Sequence, residues 1–306
     1  MIDWIKNGVV LFLLLITILI STISCEKFEG EQTIPSYISV DTFYLLDNPD
    51  LQEGKLTHDF TDAWVYVDDQ IIGAFELPAT VPVLQSGIHK LTIYPGIKYN
   101  TLSGTRGPHI YIEPYIDDEF LFTVDSVVSI PNPNPKVYYF DNTKFALIEE
   151  FESISGTFIE TSVSDTTISL FPQDPSNFDR YGNSSGAGYL LGTNSVFEIT
   201  SFEEDSPGFQ FPNGVPVIFE MDYNTNNLII VGLFIKNGGS ITQHAILVLN
   251  PTDNEWKKAY VNLTPTVAKN PNADAFNVFI RADKESGVET ATILLDNFKL
   301  IHRNTI

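Results

Sequence analysis

Beyond residue 31 the chain has almost no segment with apolar residues at helical spacing. Short runs rich in Val, Ile, Thr, Tyr and Phe recur instead, between clusters of Gly, Pro, Asn and Asp. That pattern confines the chain to strands and turns, so the expected fold class is all-β. In the stretch from Asp62 to Gly73, Ala63, Val65 and Val67 fall on one strand face, Trp64 and Tyr66 on the other, and Asp68-Asp69 supplies a turn. Gly87 then leads into a second strand, Ile88 to Ile93. Further on, Val217, Phe219 and Met221 alternate with other residues, as do Ile229, Val231 and Leu233. These sets read as inner faces of two packed antiparallel sheets.

The strongest interior punctuation is Pro131-Asn-Pro-Asn-Pro135, whose alternate prolines remove backbone donors and fix φ. It divides the chain into a first β domain, expected over residues 35–140, and a second, expected over 146–306. At the N-terminus, Lys6 precedes an apolar run from Val9 to Ile23, and small residues lead to Cys25, the chain's single cysteine. A run of this length falls short of the ~20 residues a transmembrane helix needs, and it reads as a secretory signal over residues 1–24. Residues 25–34, with Glu26, Glu29 and Glu31, read as a short acidic tether.

With 17 Lys+Arg against 39 Asp+Glu, the net charge of −22 excludes electrostatic binding of nucleic acid, which needs cations opposite phosphates. One cysteine allows no internal disulfide. Stability has to come from core burial.

Four resemblances extend this reading. A signal ending at cysteine, with Ser24 before it, resembles a bacterial lipoprotein signal, although Thr22 departs from the usual pattern. The resemblance implies a mature chain that starts at Cys25 with lipid on its sulfur. An acidic start after that cysteine is similar to the export signal of Bacteroidota lipoproteins, which implies the outer membrane and its cell-surface face. Strand, acidic turn, Gly73, Pro78 and Gly87-Ile-His89 before a strand resemble a PEGA-type, Ig-like sandwich, a structural module in which His89 is a hydrogen-bonded strand residue. From Phe145 to Ile301 the acidic opening strand, the Trp-led segment Glu255 to Leu263 and the closing Asp296-Asn297-Phe298 strand resemble jelly-roll carbohydrate-binding and galactose-binding-like modules.

The jelly-roll resemblance implies a structural Ca²⁺ held by Glu150 or Glu152 and Asp296, hard oxygen ligands that suit this ion. Sugar binding needs aromatics laid against pyranose faces and amides or carboxylates for the hydroxyls. Tyr181, Tyr189, Tyr223 and Trp256, with Asp179, Asn183 and Asn224, are the candidates. Gly182-Asn-Ser184-Ser-Gly186 has the form of a serine-hydrolase elbow but lacks a following helix, so it reads as a Gly/Ser loop. Asp125-Ser126-Val127 and Asp165-Thr166-Thr167 are similar to Bacteroidota O-glycosylation sites. No catalytic residue is assigned. Two readings stand: a non-catalytic, lipid-anchored surface protein that binds polysaccharide through its jelly roll, or a structural subunit of an outer-membrane transport or assembly complex.

Overall fold

The computed structural model describes residues 34–130, 135–153, 156–172, 174–177, 182, 184–201 and 208–304. Cys25, Asp179, Tyr181 and Asn183 lie outside these described residues, as do the signal segment, most of the tether and most of the Pro-Asn tract.

The first sandwich is built from β1 (Ser36–Val40), β2 (Tyr44–Leu45), β3 (Asp62–Val67), β4 (Gln70–Glu76), β5 (Ala79–Val83), β6 (Gly87–Lys98), β7 (Arg106–Pro108), β8 (Tyr115–Phe122), β9 (Val127–Ser129) and β10 (Lys136–Val137). One sheet runs β4-β3-β6-β7, with β8 also on β6; a second runs β5-β1-β9, and β10 pairs with β2. Ala63, Val65 and Val67 are buried as the alternation requires, against Val81, Leu91 and Ile93. Asp68 and Asp69 both take positive φ, at 49° and 61°, the backbone a tight hairpin demands. His89 Nδ1 lies 2.6 Å from Asp68 and Nε2 3.1 Å from the Ser86 carbonyl, so the ring is a hydrogen-bonded strand residue.

The second sandwich comprises β11 (Thr143–Glu149), β12 (Ile159–Glu160), β13 (Ser169–Pro172), β14 (Ser184–Leu190), β15 (Val196–Thr200), β16 (Val217–Thr225), β17 (Ile229–Asn237), β18 (Ser240–Leu249), β19 (Lys257–Asn262), β20 (Ala275–Asp283) and β21 (Ala291–Arg303). A short helix, Thr264–Lys269, follows β19. One sheet runs β13-β14-β21-β16-β19, with β11 also on β21, and the facing sheet runs β12-β15-β20-β17-β18. Strand β14 pairs with β21, β15 with β20, β16 with β19 and β17 with β18. First pairs with last and each successive strand with its mirror partner, which is a long hairpin rolled into a jelly roll. The Gly/Ser segment expected to be a loop is therefore strand from Ser184 onward. Ser184 Oγ donates to the Phe151 carbonyl at 2.6 Å, and strand rather than helix follows it.

Strand β16 shows how sequence alternation builds more than one core. Val217, Phe219 and Met221 point between the jelly-roll sheets and meet Val231, Leu233 and Ile280. On its other face Ile218 joins Tyr260 and Ile301 in the core of the first sandwich. The N-terminal sandwich thus sits on the outer face of the six-stranded sheet and makes that face an interior. Polar residues on the same face are sealed in with it. Glu220, Asp222, Lys258 and Lys299 are each no more than 5% exposed.

This seam is held by charge-assisted hydrogen bonds and a longer ion-pair contact. His109 Nε2 of the first sandwich lies 3.0 Å from Glu220 Oε1, and Lys258 Nζ lies 3.6 Å from Glu220 Oε2 and 3.1 Å from Asp222 Oδ1. Lys258 also donates to Thr57 Oγ1 at 2.9 Å, and Tyr111 donates across the seam to the Pro216 carbonyl at 2.6 Å. Burial alone would raise the Glu220 carboxyl. The His109 hydrogen bond and the Lys258 charge outweigh it and hold the group down at about 2. Lys299, capped by the rings of Tyr139 and Phe145 at 5.3 and 5.7 Å, is pulled down to about 8 by burial. His58, stacked on Phe60, is pushed down to about 4 by burial and by the Lys258 charge.

Both His58 and Glu220 make the fold sensitive to acid. Unfolded His58 takes up its proton near 6.5 and folded His58 only near 4, so the unfolded state binds more protons in between and stability falls with pH across that window. Glu220 acts lower down: its contribution is present above about 4.5 and is lost as pH falls toward 2. The melting temperature is therefore expected to decline from about pH 6.5 downward, with a flatter decline between 6.5 and 4 in His58→Phe, measured by calorimetry across pH.

Candidate functional site

Because the first sandwich covers the six-stranded sheet, the outer face of the five-stranded sheet is the broad jelly-roll face left open. Its floor follows from register. Strands β17 and β20 set Gly232 beside Phe279, Phe234 beside Asn277, and Lys236 beside Ala275, while β18 places Gln243 next to Phe234 and Ile241 next to Lys236. These residues alternate with Val231, Leu233, Ile235, Val278 and Ile280, which fill the core below.

Gly232 is fixed by the close approach of its neighbours. A Cβ there would stand 2.6 Å from Phe279 Cε1 and 2.1 Å from the His244 carbonyl oxygen. Without it, the Phe279 ring comes close to Gly232, and Phe234 packs on that ring at a tilt with centroids 4.9 Å apart.

The sheet is curved. Strands β18 and β15 are separated by two others, about 14 Å on a flat sheet. Yet Gln243 Nε2 donates to Glu198 Oε2 at 2.7 Å across this face. Glu198 is 2% exposed and also accepts from Arg281 Nη1 at 3.2 Å and Thr161 Oγ1 at 2.7 Å. Arg281 is locked in turn by Asp283. Beside this closed cluster opens a cleft of ≈ 530 Å³. Phe234, Ile241 and Ile159 supply its apolar wall; Asn277, Thr200, Thr161, Ser162 and Lys236 supply polar groups. The Glu160 carboxylate at its edge accepts from the Ile168 N–H at 2.6 Å. Asn277 and Thr200 are only 2% and 3% exposed and donate to the Ser201 and Val278 carbonyls, and Thr161 donates to Glu198, so Ser162 and Lys236 beside the half-buried Phe234 are the groups left to meet a ligand that is apolar on its ring faces and hydroxylated at its rim.

The residues singled out from sequence fall elsewhere. Tyr223 is 4% exposed and Trp256 7%, so neither offers a ring face to solvent. Burial pushes the Tyr223 hydroxyl up to about 12, and Trp256 Nε1 donates to Asp174 at 3.1 Å within a small cluster with Ala187 and Leu294. Asn224 is buried and accepts from Thr252 Oγ1 at 2.9 Å. Tyr189 is exposed at 37%, on a shallow groove beside Leu191 and Asn194, apart from the concave cleft.

The expected Ca²⁺ ligands make contacts within the protein. Asp296 Oδ2 accepts from Asn177 Nδ2 at 2.6 Å and Ser185 Oγ at 3.1 Å, and Oδ1 accepts from the Asn297 N–H. Glu150 Oε1 accepts from the Lys55 N–H at 2.7 Å and Glu152 lies 3.9 Å from the Lys55 ammonium. Among the described residues no group of three or more His, Cys, Asp or Glu converges.

The cleft residues lie outside the expected set of Tyr181, Tyr189, Tyr223 and Trp256. A usable signal was present: Phe234 falls one position off the apolar alternation of Ile229, Val231, Leu233, which places a large ring on the outward face of a strand.

No family model matches the chain, and no curated protein does. Solved structures match part of it. The paired carbohydrate-binding and catalytic modules (CBM22-1 and GH10) of Clostridium thermocellum endo-1,4-β-D-xylanase 10B share 13% identity at a TM-score of 0.36, over 51% of this chain and 27% of that one. A xylan-binding domain of family CBM22 shares 12% at 0.35, over 53% of this chain and 97% of that one. A CBM28 module specific for non-crystalline cellulose shares 11% at 0.32, over 47% and 87%. At these scores the likenesses assign no function to the chain.

Proposed function

We propose that this protein is a non-catalytic glycan-binding protein whose jelly roll takes a polysaccharide segment in the concave cleft. The observation that carries the reading is the cleft itself, where Phe234 and Ile241 stand beside Lys236 and Ser162 on a curved, open sheet. A pyranose has weakly polar ring faces and hydroxylated edges, and the cleft matches both. Among the described residues the two carboxylates at the cleft, Glu160 and Glu198, are both held by protein donors, which suits retention of a sugar rather than its cleavage. In calorimetric titration with a panel of soluble plant and microbial oligosaccharides, Phe234→Ala is expected to weaken binding at least ~10-fold, about 1.4 kcal/mol, while Tyr189→Ala leaves it unchanged. Equal loss in both variants, or no binding by any glycan, would contradict the cleft assignment.

The same proposal places the protein at the outer membrane, tethered through lipid on Cys25 and turned toward the cell exterior. The single cysteine after an apolar run supports this reading. Metabolic labelling with a fatty-acid probe is expected to mark the wild-type protein and not Cys25→Ala. Tethering would let a weak site serve, because confinement at one surface raises the effective concentration of neighbouring polymer.

A further inference from the structure

Exposed apolar side chains of the first sandwich gather at one of its ends. Ile34, Leu84, Ile88, Leu121, Val124 and Val127 are between 43% and 68% exposed. Backbone pairing brings them together: Ile88 stands opposite Leu121, Val127 opposite Tyr37 and Val83 opposite Ser36, while the Asp125 N–H donates to the Pro35 carbonyl at 3.0 Å. Scattered singly, such residues would need no explanation; gathered at one end, they do. Leu121 alternates with buried Phe120 and Phe122, so it and Ile88 lie on the outer face of one sheet. Val127 sits across from Tyr37, which is flanked by buried Ser36 and Ile38, and so lies on the outer face of the other sheet. Ile34 precedes β1, and Leu84 and Val124 occupy loops. The apolar surface is therefore a collar around the tip of the sandwich rather than a flat patch on one side.

We infer that this collar is a membrane-contact surface, seated among the headgroups and upper acyl chains of a lipid bilayer. The path of the chain decides the occupant. About nine residues separate Cys25 from Ile34, so a lipid on that cysteine keeps the collar within about 30 Å of the bilayer. Strand β6 starts at this end and runs away from it toward the domain seam, where Tyr99, the residue after Lys98, bridges to Tyr260 of the jelly roll. The run from Ile88 to Lys98 extends about 33 Å along a strand. The first sandwich is thus a post, with its apolar tip toward the lipid and the jelly roll held off the surface. The choice of lipid as occupant rests on the anchor reading above. Shape agrees with it, because a ring of side chains around a tip can sink into a fluid interface, whereas a second rigid copy needs one flat face. Charge takes no part in the choice. Asp68 and Asp69 beside the collar are held by His89 and Lys90 at 2.6 and 2.9 Å. Asp125 also stands at this end, so apolar burial is the attraction and a zwitterionic surface is its match.

Coupling Cys25, the single cysteine, to a maleimide-bearing phospholipid in phosphatidylcholine vesicles supplies the anchor chemically. The contact is then read whether or not cells lipidate Cys25, and fatty-acid labelling reads the anchor separately. With the chain from Cys25 to Ile306 tethered in this way, the emission added by Leu84→Trp or Val124→Trp is expected to shift to the blue and to be quenched when the acyl chains are brominated. Emission added by Ser240→Trp, on the jelly roll, is expected to be unaffected. Ile88→Asp/Leu121→Asp, placed in the Val124→Trp chain, is expected to abolish the quenching, with circular dichroism and the melting curve checking the fold. Amide exchange in the chain without these substitutions gives a second measurement, expected to slow on vesicles at residues 84–88 and 123–127. No quenching at either tip position, equal quenching at Ser240, or quenching that survives in the folded double-aspartate variant would overturn the inference. So would a dimer of the untethered chain that protects the same residues, or a glycan on Ser126, which lies in this end beside Val127.

Discussion

Glu220 is the constraint on which the arrangement of this molecule depends. It sits on β16, 1% exposed, between His109 of the first sandwich and Lys258 of the second. A carboxylate so deeply buried is tolerable only while its partners are in place, since removing one from a buried pair leaves an uncompensated charge at a loss of ~3–5 kcal/mol. The partners come from both domains. The first sandwich is therefore a necessary cover for the second, and separating the two would expose Ile218, Tyr260 and Ile301 together with the charges beside them.

That cover determines where function can reside. A jelly roll has two outer faces, and here one is consumed by the domain seam. The other keeps its curvature through the Gln243–Glu198–Arg281 bridge and opens as the cleft around Phe234 and Asn277. The tightly closed network and the open cleft lie side by side on one sheet. The first holds shape while the second leaves an open apolar wall beside Lys236 and Ser162.

The sequence was legible wherever one face of a strand met a core and the other met water. Ala63, Val65 and Val67, and likewise Val217, Phe219 and Met221, follow that rule, and the all-β sandwich class comes directly from it. It failed where a polar face meets another domain. Glu220, Asp222 and Lys258 alternate with apolar residues as solvated side chains do, and nothing in a period of two distinguishes water from a domain seam. The sugar-binding aromatics failed for a related reason. Tyr223 and Trp256 are large enough to be covered, and periodicity reports which residues share a face without reporting what lies over it.

Hydrogen exchange of Lys258→Met, followed by mass spectrometry, tests the seam most directly. Losing Lys258 leaves Glu220 and Asp222 as buried anions without their shared cation. If the seam binds the two sandwiches into one cooperative unit, protection is expected to fall together in β3 and β6 of the first and β16 and β21 of the second, by ~3–5 kcal/mol. Loss confined to one sandwich, or unchanged protection in both, would contradict the account.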